Sequence, residues 1–375
     1  MSSTAVRRRL STPTLILSML LPTAPMAATL YHEKVVMQGL ANPRGMTFGP
    51  NGWLYVAEAG AGGDGPSIVS GDGQTVSFGL TGGVSRYKDG VQEKVADLPS
   101  LAPEGGFGAT GAHDVAFVDG TMHVAIGLGA DPALREDLAA APGSALLGQI
   151  VTLTGGTATP FADLAGFELA NNPVGEPDSN PFSLVAVDGG LVATDAGGND
   201  VLTIDAEGAI AVKAALPEGE WQPVPTGAAA GPDGTLLVGQ LTGFPFPVGG
   251  ANVFSIDEAG LVDVFASGFT NLIDIAWHDG TLFALEFDSD SLLGPNATGS
   301  LFQIGADGTR TLAYGGLINP SGLAIGANGH VFVAENGVSP TDGRVIELAP
   351  VPLPASLPLL AGALVLGAAL SRRRR

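Results

Sequence analysis

The chain has 375 residues, 45% of them hydrophobic, which is enough to bury the core of one large domain. Cysteine is absent, so disulfides and thiolate metal sites are excluded. The net charge is −21, and seven of the 16 basic residues lie in the first nine and last four positions, so the rest of the chain is more acidic still. Such a surface repels phosphate backbones, and we therefore predict no nucleic-acid partner.

Residues 1–28 have the form of a secretory signal peptide. Three arginines at 7–9 precede an apolar run at 15–21, and small residues follow up to Ala28. This order is typical of a leader that is cleaved after export. The sequence therefore predicts a mature chain that begins near residue 29 outside the cytoplasm.

A repeated plan fills residues 29–349. Each repeat has an aliphatic strand that opens near Gly, Asp or Asn, a tight turn, and a second aliphatic strand that in most repeats ends on an acidic or amide residue. Repetition of this kind indicates a propeller, and six copies predict an all-β, six-bladed β-propeller. The Asp-Ala-Gly-Gly-Asn turn at 195–199 resembles that of NHL-type propellers, so the implied fold is NHL/TolB-like. The predicted second strands span 53–58, 122–126, 191–195, 236–240, 282–286 and 331–335.

The last repeat supplies only three strands. We predict that residues 33–38 provide its outer strand, because this join would close the ring without leaving an open sheet edge. The longest insertions, 59–82 and 127–147, follow second strands and so should border the face where first strands begin. That face is the predicted binding face.

The starts of the first strands place polar residues around the predicted channel. Asp114 and Asp274 are three blades apart and should face each other, with Arg44, His113 and Asn180 nearby. Oxygen ligands suit Ca²⁺, so Asp114, Asn180 and Asp274 are candidate metal ligands, and His113 or a carboxylate could move protons. Alternatively, these side chains hold neighbouring backbone amides and have no chemical role.

A second layer of carboxylates lies at the ends of the second strands. It contains Glu58, Asp195, Glu286 and Glu335. These residues could bind a cation or a polyhydroxylated ligand at the channel face. The interpretation we favour is that they cap loops at the blade tips.

Residues 350–375 combine a Val-Pro-Leu-Pro-Ala motif at 351–355, an apolar run at 357–370 and four terminal arginines. The run is a short candidate transmembrane helix with its arginines in the cytoplasm. The segment resembles the VPLPA variant of PEP-CTERM sorting signals of Gram-negative bacteria. That resemblance implies a transient inner-membrane anchor, processing by an exosortase, and a final location in the periplasm, outer envelope or extracellular matrix.

The propeller segment is similar to the ScyD/ScyE family. The resemblance is carried by residues 39–45, 54–58, 127–132, 178–182, 195–199 and 241–247. It implies an exported six-bladed propeller and no particular activity.

The sequence leaves several functions open. The leading hypothesis is a propeller that binds a small molecule, glycan or protein at the channel face. The alternative is a Ca²⁺-dependent hydrolase similar to gluconolactonases. A quinone-dependent sugar dehydrogenase fits less well, because Arg44 is the main cationic candidate near the channel.

Overall fold

The computed structural model describes residues 30–172, 177–305 and 308–351, which form six antiparallel sheets arranged as a six-bladed propeller. The predicted fold is therefore confirmed. The predicted signal peptide and the predicted sorting segment fall outside the described residues, apart from residues 350 and 351. No helix in the described ranges is long and apolar enough to cross a bilayer.

The first three blades contain strands 2 to 14 and one α-helix, α1 (Leu164–Asn171), which follows blade two. Blade one carries an extra short strand, β4, on its third strand β5. The strands of these three blades are β2 (Pro43–Phe48), β3 (Leu54–Glu58), β4 (Ser67–Val69), β5 (Thr75–Lys88), β6 (Val91–Ala102), β7 (Ala112–Val118), β8 (Thr121–Ile126), β9 (Gln149–Thr154), β10 (Thr157–Asp163), β11 (Pro181–Val187), β12 (Gly190–Asp195), β13 (Asp200–Asp205) and β14 (Ile210–Ala215).

The last three blades follow the same plan without an additional strand. Their bounds are β15 (Pro225–Ala230), β16 (Leu236–Gln240), β17 (Ala251–Ile256), β18 (Val262–Phe269), β19 (Leu272–His278), β20 (Thr281–Glu286), β21 (Thr298–Ile304), β22 (Arg310–Ile318), β23 (Gly322–Ile325), β24 (Val331–Glu335) and β25 (Gly343–Pro350).

The N-terminal strand β1 (Tyr31–Leu40) closes the ring. It pairs antiparallel with β25, so the mature N-terminus supplies the outer strand of blade six, as predicted. Its Met37 and Leu40 are each only 1% exposed and belong to a core cluster that also contains Met46 of blade one. The join is therefore held by ladder hydrogen bonds and by apolar burial.

The first insertion, residues 59–82, contains regular structure that the sequence did not predict. Ser67–Val69 pairs with the first part of β5, which itself begins inside the insertion at Thr75. Gly71, Asp72 and Gly73 occupy the turn between the paired strands. The second insertion contains two short 3₁₀ helices, Pro132–Leu138 and Ser144–Leu146.

Candidate functional site

The inner strands begin at a narrow waist in the channel. Gly45, Asp114, Gly227 and Asp274 border this waist, which encloses a space of only about 10 Å³. Glycine is needed at two of these positions because a Cβ on Gly45 would lie 2.4 Å from Asp114 Oδ1, and one on Gly227 would lie 2.3 Å from Asp274 Oδ1. Small residues on two blades thus make room for the carboxylates of their neighbours.

Asp114 and Asp274 play matching parts in linking neighbouring blades. Asp114 accepts hydrogen bonds from the Leu184 backbone N–H (2.8 Å) and the Ser183 hydroxyl (3.1 Å) of blade three. Asp274 accepts one from the Leu323 N–H (2.7 Å) of blade six. Each also accepts from the backbone N–H of the residue that follows it. Both side chains therefore hold backbone amides, which is the structural role considered above.

The electrostatics of this pair are unusual. Burial raises the pKa of Asp114 to about 6. Burial, followed by the charge of Asp114, raises the pKa of Asp274 well above its ordinary value. The two carboxyls are therefore close enough to repel each other, and both border the same channel cavity.

Arg44 and His113 lie at the waist with their polar atoms engaged. The Arg44 guanidinium donates to the carbonyls of Gly337 and Ala109, the latter at 2.7 Å. His113 Nδ1 lies 3.0 Å from the Pro181 carbonyl. Burial, then the neighbouring Arg44 charge, lower the pKa of His113 to about 3, so its imidazole is neutral at physiological pH. In this state it would not act as a general acid near neutrality.

The second layer of carboxylates caps the loops that enter the blades, as the favoured interpretation predicts. Each acid at the end of a second strand accepts the backbone N–H of a residue shortly before the first strand of its own blade. For Glu58, Asp195, Glu286 and Glu335 the donors are the amides of Ala41 (2.8 Å), Asn180 (2.6 Å), Thr270 (2.9 Å) and Ile318 (2.8 Å).

Below the waist, the inner strands surround a cavity of about 490 Å³, the channel cavity. Apart from Asp114 and Asp274, its lining is mostly apolar and includes Phe117, Val185 and Trp277. Since first strands run away from the waist, this cavity opens on the side opposite to the long insertions. The sequence did not predict it, because both faces of a propeller contain similar turns.

Above the waist lies a smaller cavity of about 260 Å³, the insertion-face cavity, with more polar side chains among its lining residues. Ser70, Asp72 and Gln74 from the first insertion border it, together with Asp178 and Asn180 at the entry to blade three. The amide of Gly71 donates to the Gly129 carbonyl at 2.8 Å, so the two longest insertions are joined at this point. Hydrophobic periodicity could not identify Ser70 and Asp72, although the Ser-Gly-Asp-Gly-Gln turn marks them as a polar loop.

Asn180 differs from the other asparagines near the waist. Asn42, Asn271 and Asn319 have positive φ angles of 49°, 46° and 40°, a backbone conformation that asparagine tolerates well. Asn180 is not in that conformation, and its Oδ1 is buried without a hydrogen-bond partner. The side-chain oxygen of Asn180 is therefore an acceptor without a protein donor.

The three predicted metal ligands do not border one cavity. Asp114 and Asp274 line the channel cavity, whereas Asn180 lines the insertion-face cavity on the other side of the waist. In the described ranges, no three His, Asp or Glu side chains form a ready-made metal-binding group.

Comparison with solved structures finds proteins with a similar fold. A gluconolactonase from Xanthomonas campestris matches with a TM-score of 0.55 and 15% identity over 88% of this chain and 93% of that one. A luciferin-regenerating enzyme matches with a TM-score of 0.51 and 10% identity over 86% and 96%. An aldose sugar dehydrogenase from Streptomyces coelicolor also matches, but its TM-score of 0.35, at 14% identity over 85% and 99%, is too low to support an argument.

No protein-family model matches the chain, and neither does any curated protein sequence. At identities of this size the likeness shows the fold and not the activity.

Proposed function

We propose that this protein is an exported, non-catalytic propeller that binds a small polyhydroxylated ligand, such as a sugar ring, in the insertion-face cavity. The observation that carries the proposal is the cavity itself: about 260 Å³, polar, and bordered by both long insertions. Its volume is somewhat below that of typical sites for drug-sized ligands, and so suits a single ring.

The hydrogen-bonding groups of the cavity support a ligand that carries hydroxyls. Asn180 Oδ1 and Asp178 Oδ1 are buried acceptors without partners. The cavity wall covers both oxygens, so ligand hydroxyls would pair with them once the wall shifts to admit the ligand; buried polar atoms are rarely left unpaired, which favours that shift. Burial alone would raise the pKa of Asp72, but hydrogen bonds from Ser70 and Gln74 outweigh it and lower the pKa, so Asp72 adds a negative charge to the wall. An anionic ligand is therefore disfavoured.

A binding screen with matched variants tests this proposal. Calorimetry of the mature domain against neutral hexoses, pentoses and linear polyols should find at least one ligand. Asn180→Ala should weaken that ligand about tenfold, the effect of roughly 1.4 kcal/mol expected for one lost hydrogen bond. Thr47→Ala, which alters the channel cavity on the far side, is the control and should leave the affinity unchanged.

The proposal fails if no neutral polyol binds, or if Thr47→Ala weakens binding while Asn180→Ala does not. The second result would move the site to the channel cavity.

Export and tail processing are part of the same proposal. They are supported by the leader at 1–28 and by the motif, apolar run and arginines at 350–375. Assignment to the ScyD/ScyE family is likewise proposed from the matching segments of the propeller. Mass spectrometry of the protein from its native host should show a product that lacks the leader and the residues beyond about position 354. A product that retains the terminal arginines would contradict processing.

One observation favours hydrolysis as a second candidate function. Asp114 and Asp274 are two buried, mutually repelling carboxyls beside a cavity of about 490 Å³, and paired carboxyls with raised pKa values can exchange protons with a substrate. This candidate predicts lactone hydrolysis that depends on Ca²⁺ and is lost in Asp114→Asn. Hydrolysis at the background rate with and without Ca²⁺ would exclude it.

A further inference from the structure

Glu168, Asp195 and Asp200 lie behind the wall of the insertion-face cavity, next to Asp178, which borders the cavity itself; we call these four side chains the buried acidic cluster. Glu168 is 2% exposed, and Asp195 and Asp200 are each 1% exposed. A Cβ on Gly198 would lie 3.3 Å from Glu168 Oε2, 3.4 Å from Asp200 Oδ1 and 3.5 Å from Asp195 Cγ. Three carboxyls therefore surround one point of the backbone.

Glu168 reaches the cluster from an unexpected position. It lies on the buried face of α1 with Leu164 and Ala165, where an apolar residue would be the ordinary choice. A glutamate at such a position costs stability unless its charge is compensated. Its burial beside two other carboxyls therefore requires an explanation.

The four acids differ sharply in their hydrogen bonds. Asp195 has donors on both oxygens: its Oδ1 accepts the amides of Asn180, Gly197 and Gly198, whereas its Oδ2 accepts only the Ser179 hydroxyl and keeps a second acceptor position. By contrast, both carboxyl oxygens of Asp200, Oε1 of Glu168 and Oδ1 of Asp178 have no hydrogen-bond partner. None of the salt bridges found among the described residues involves any of the four.

Neutralisation of the cluster would require either protons or a cation. Burial, followed by the charge of Asp195, raises the pKa of Asp200 to about 8 and that of Glu168 to about 7. In the absence of a cation the cluster would thus retain protons at neutral pH. A bound divalent ion would replace them and would also supply the partners that the unpaired oxygens lack.

We propose that Glu168, Asp195 and Asp200 bind one Ca²⁺ ion, with Asp178 as the nearest further carboxylate. Ca²⁺ accepts six to eight oxygen ligands in flexible geometry, whereas Mg²⁺ demands an octahedral shell and keeps several waters, for which a cluster this buried has little room. Because no ready-made metal-binding group exists among the described residues, binding must draw the carboxyls together. The ion would join α1 to the end of β12 and the start of β13.

Equilibrium dialysis and thermal unfolding test the proposal on the mature propeller after treatment with a chelator. We expect one Ca²⁺ per chain and a rise in the unfolding midpoint with CaCl₂, but little change with the same concentration of MgCl₂. Asp200→Asn should abolish both the binding and the rise. Glu168→Gln serves as a second variant in case the first does not fold.

Asp288→Asn is the matched control, because it removes another buried acid, 4% exposed, in blade five. It should retain the calcium response. The proposal is overturned if no stoichiometric Ca²⁺ binds, if Asp200→Asn and Glu168→Gln still bind it, or if Asp288→Asn abolishes binding. This test is independent of the polyol screen, since it measures the ion and stability and uses no sugar.

Discussion

Truncation of Met37 to alanine should reveal how strongly the N-terminal strand closes the ring. Met37 is 1% exposed and packs with Met46 of blade one and Val345 of blade six. Replacing a buried methionine by alanine typically costs 2–5 kcal/mol, and with neighbours on two blades we expect about 3 kcal/mol. For a domain of this size that corresponds to a fall in the unfolding midpoint of about 6 °C.

Urea unfolding of the mature domain measures this cost directly. Val35→Ala is the control, because Val35 lies on the same strand but is 42% exposed, and it should change stability by less than about 0.5 kcal/mol. The dependence of the unfolding free energy on urea should stay the same in both variants, since β1 unfolds with the whole ring. Equal stability of the two variants, or a separate early transition in Met37→Ala, would refute closure by β1.

Three further outcomes are expected. In chelator, the unfolding free energy should fall as the pH rises from about 4 to about 8, because the pKa of Asp200 is about 8 when folded and about 4 when unfolded, so in this window only the folded state holds the proton; pH-dependent unfolding of Asp200→Asn should show a flatter slope, and an unchanged slope would contradict this. Glu58→Ala should cost about 2 kcal/mol in urea unfolding by removing a buried loop cap, whereas Glu93→Ala, which breaks an exposed ion pair, should cost less than about 1 kcal/mol; equal costs would contradict the capping role. Gly45→Ala should lower the unfolding midpoint because its Cβ would meet Asp114 Oδ1 at 2.4 Å, and a variant as stable as wild type would contradict that packing.

The fold could be predicted because each blade repeats a local signal. Aliphatic strands that alternate with Gly, Asp and Asn turns specify a hairpin without reference to the rest of the chain. The closing strand was also predictable, since the last repeat is one strand short and an open edge is unfavourable. The strand at Ser67–Val69 was missed because it is only three residues long and has little periodicity.

The candidate site was harder to predict. Aligned strand starts predicted that Asp114 and Asp274 share the channel, and both border the same cavity, but their hydrogen bonds to the next blade depend on how the blades pack. The alignment also grouped Asn180 with these two carboxylates as a candidate metal ligand, whereas it borders the cavity above the waist.

The buried acidic cluster gave no signal in the sequence. Glu168 lies 32 positions before Asp200, and it enters the cluster only because the short helix α1 buries the face that carries Leu164, Ala165 and Glu168. Glutamate is usually a surface residue, so the sequence gives no reason to expect Glu168 in the interior. Only the packing of α1 buries its carboxyl group and leaves it in need of a partner.

A crystal structure of the mature propeller with the polyol that binds most tightly tests the central claim most directly. The account predicts ligand density in the insertion-face cavity, in contact with Asn180 and with the loop that carries Asp72 and Gln74. Density only in the channel cavity, beside Trp277 and between Asp114 and Asp274, would contradict it.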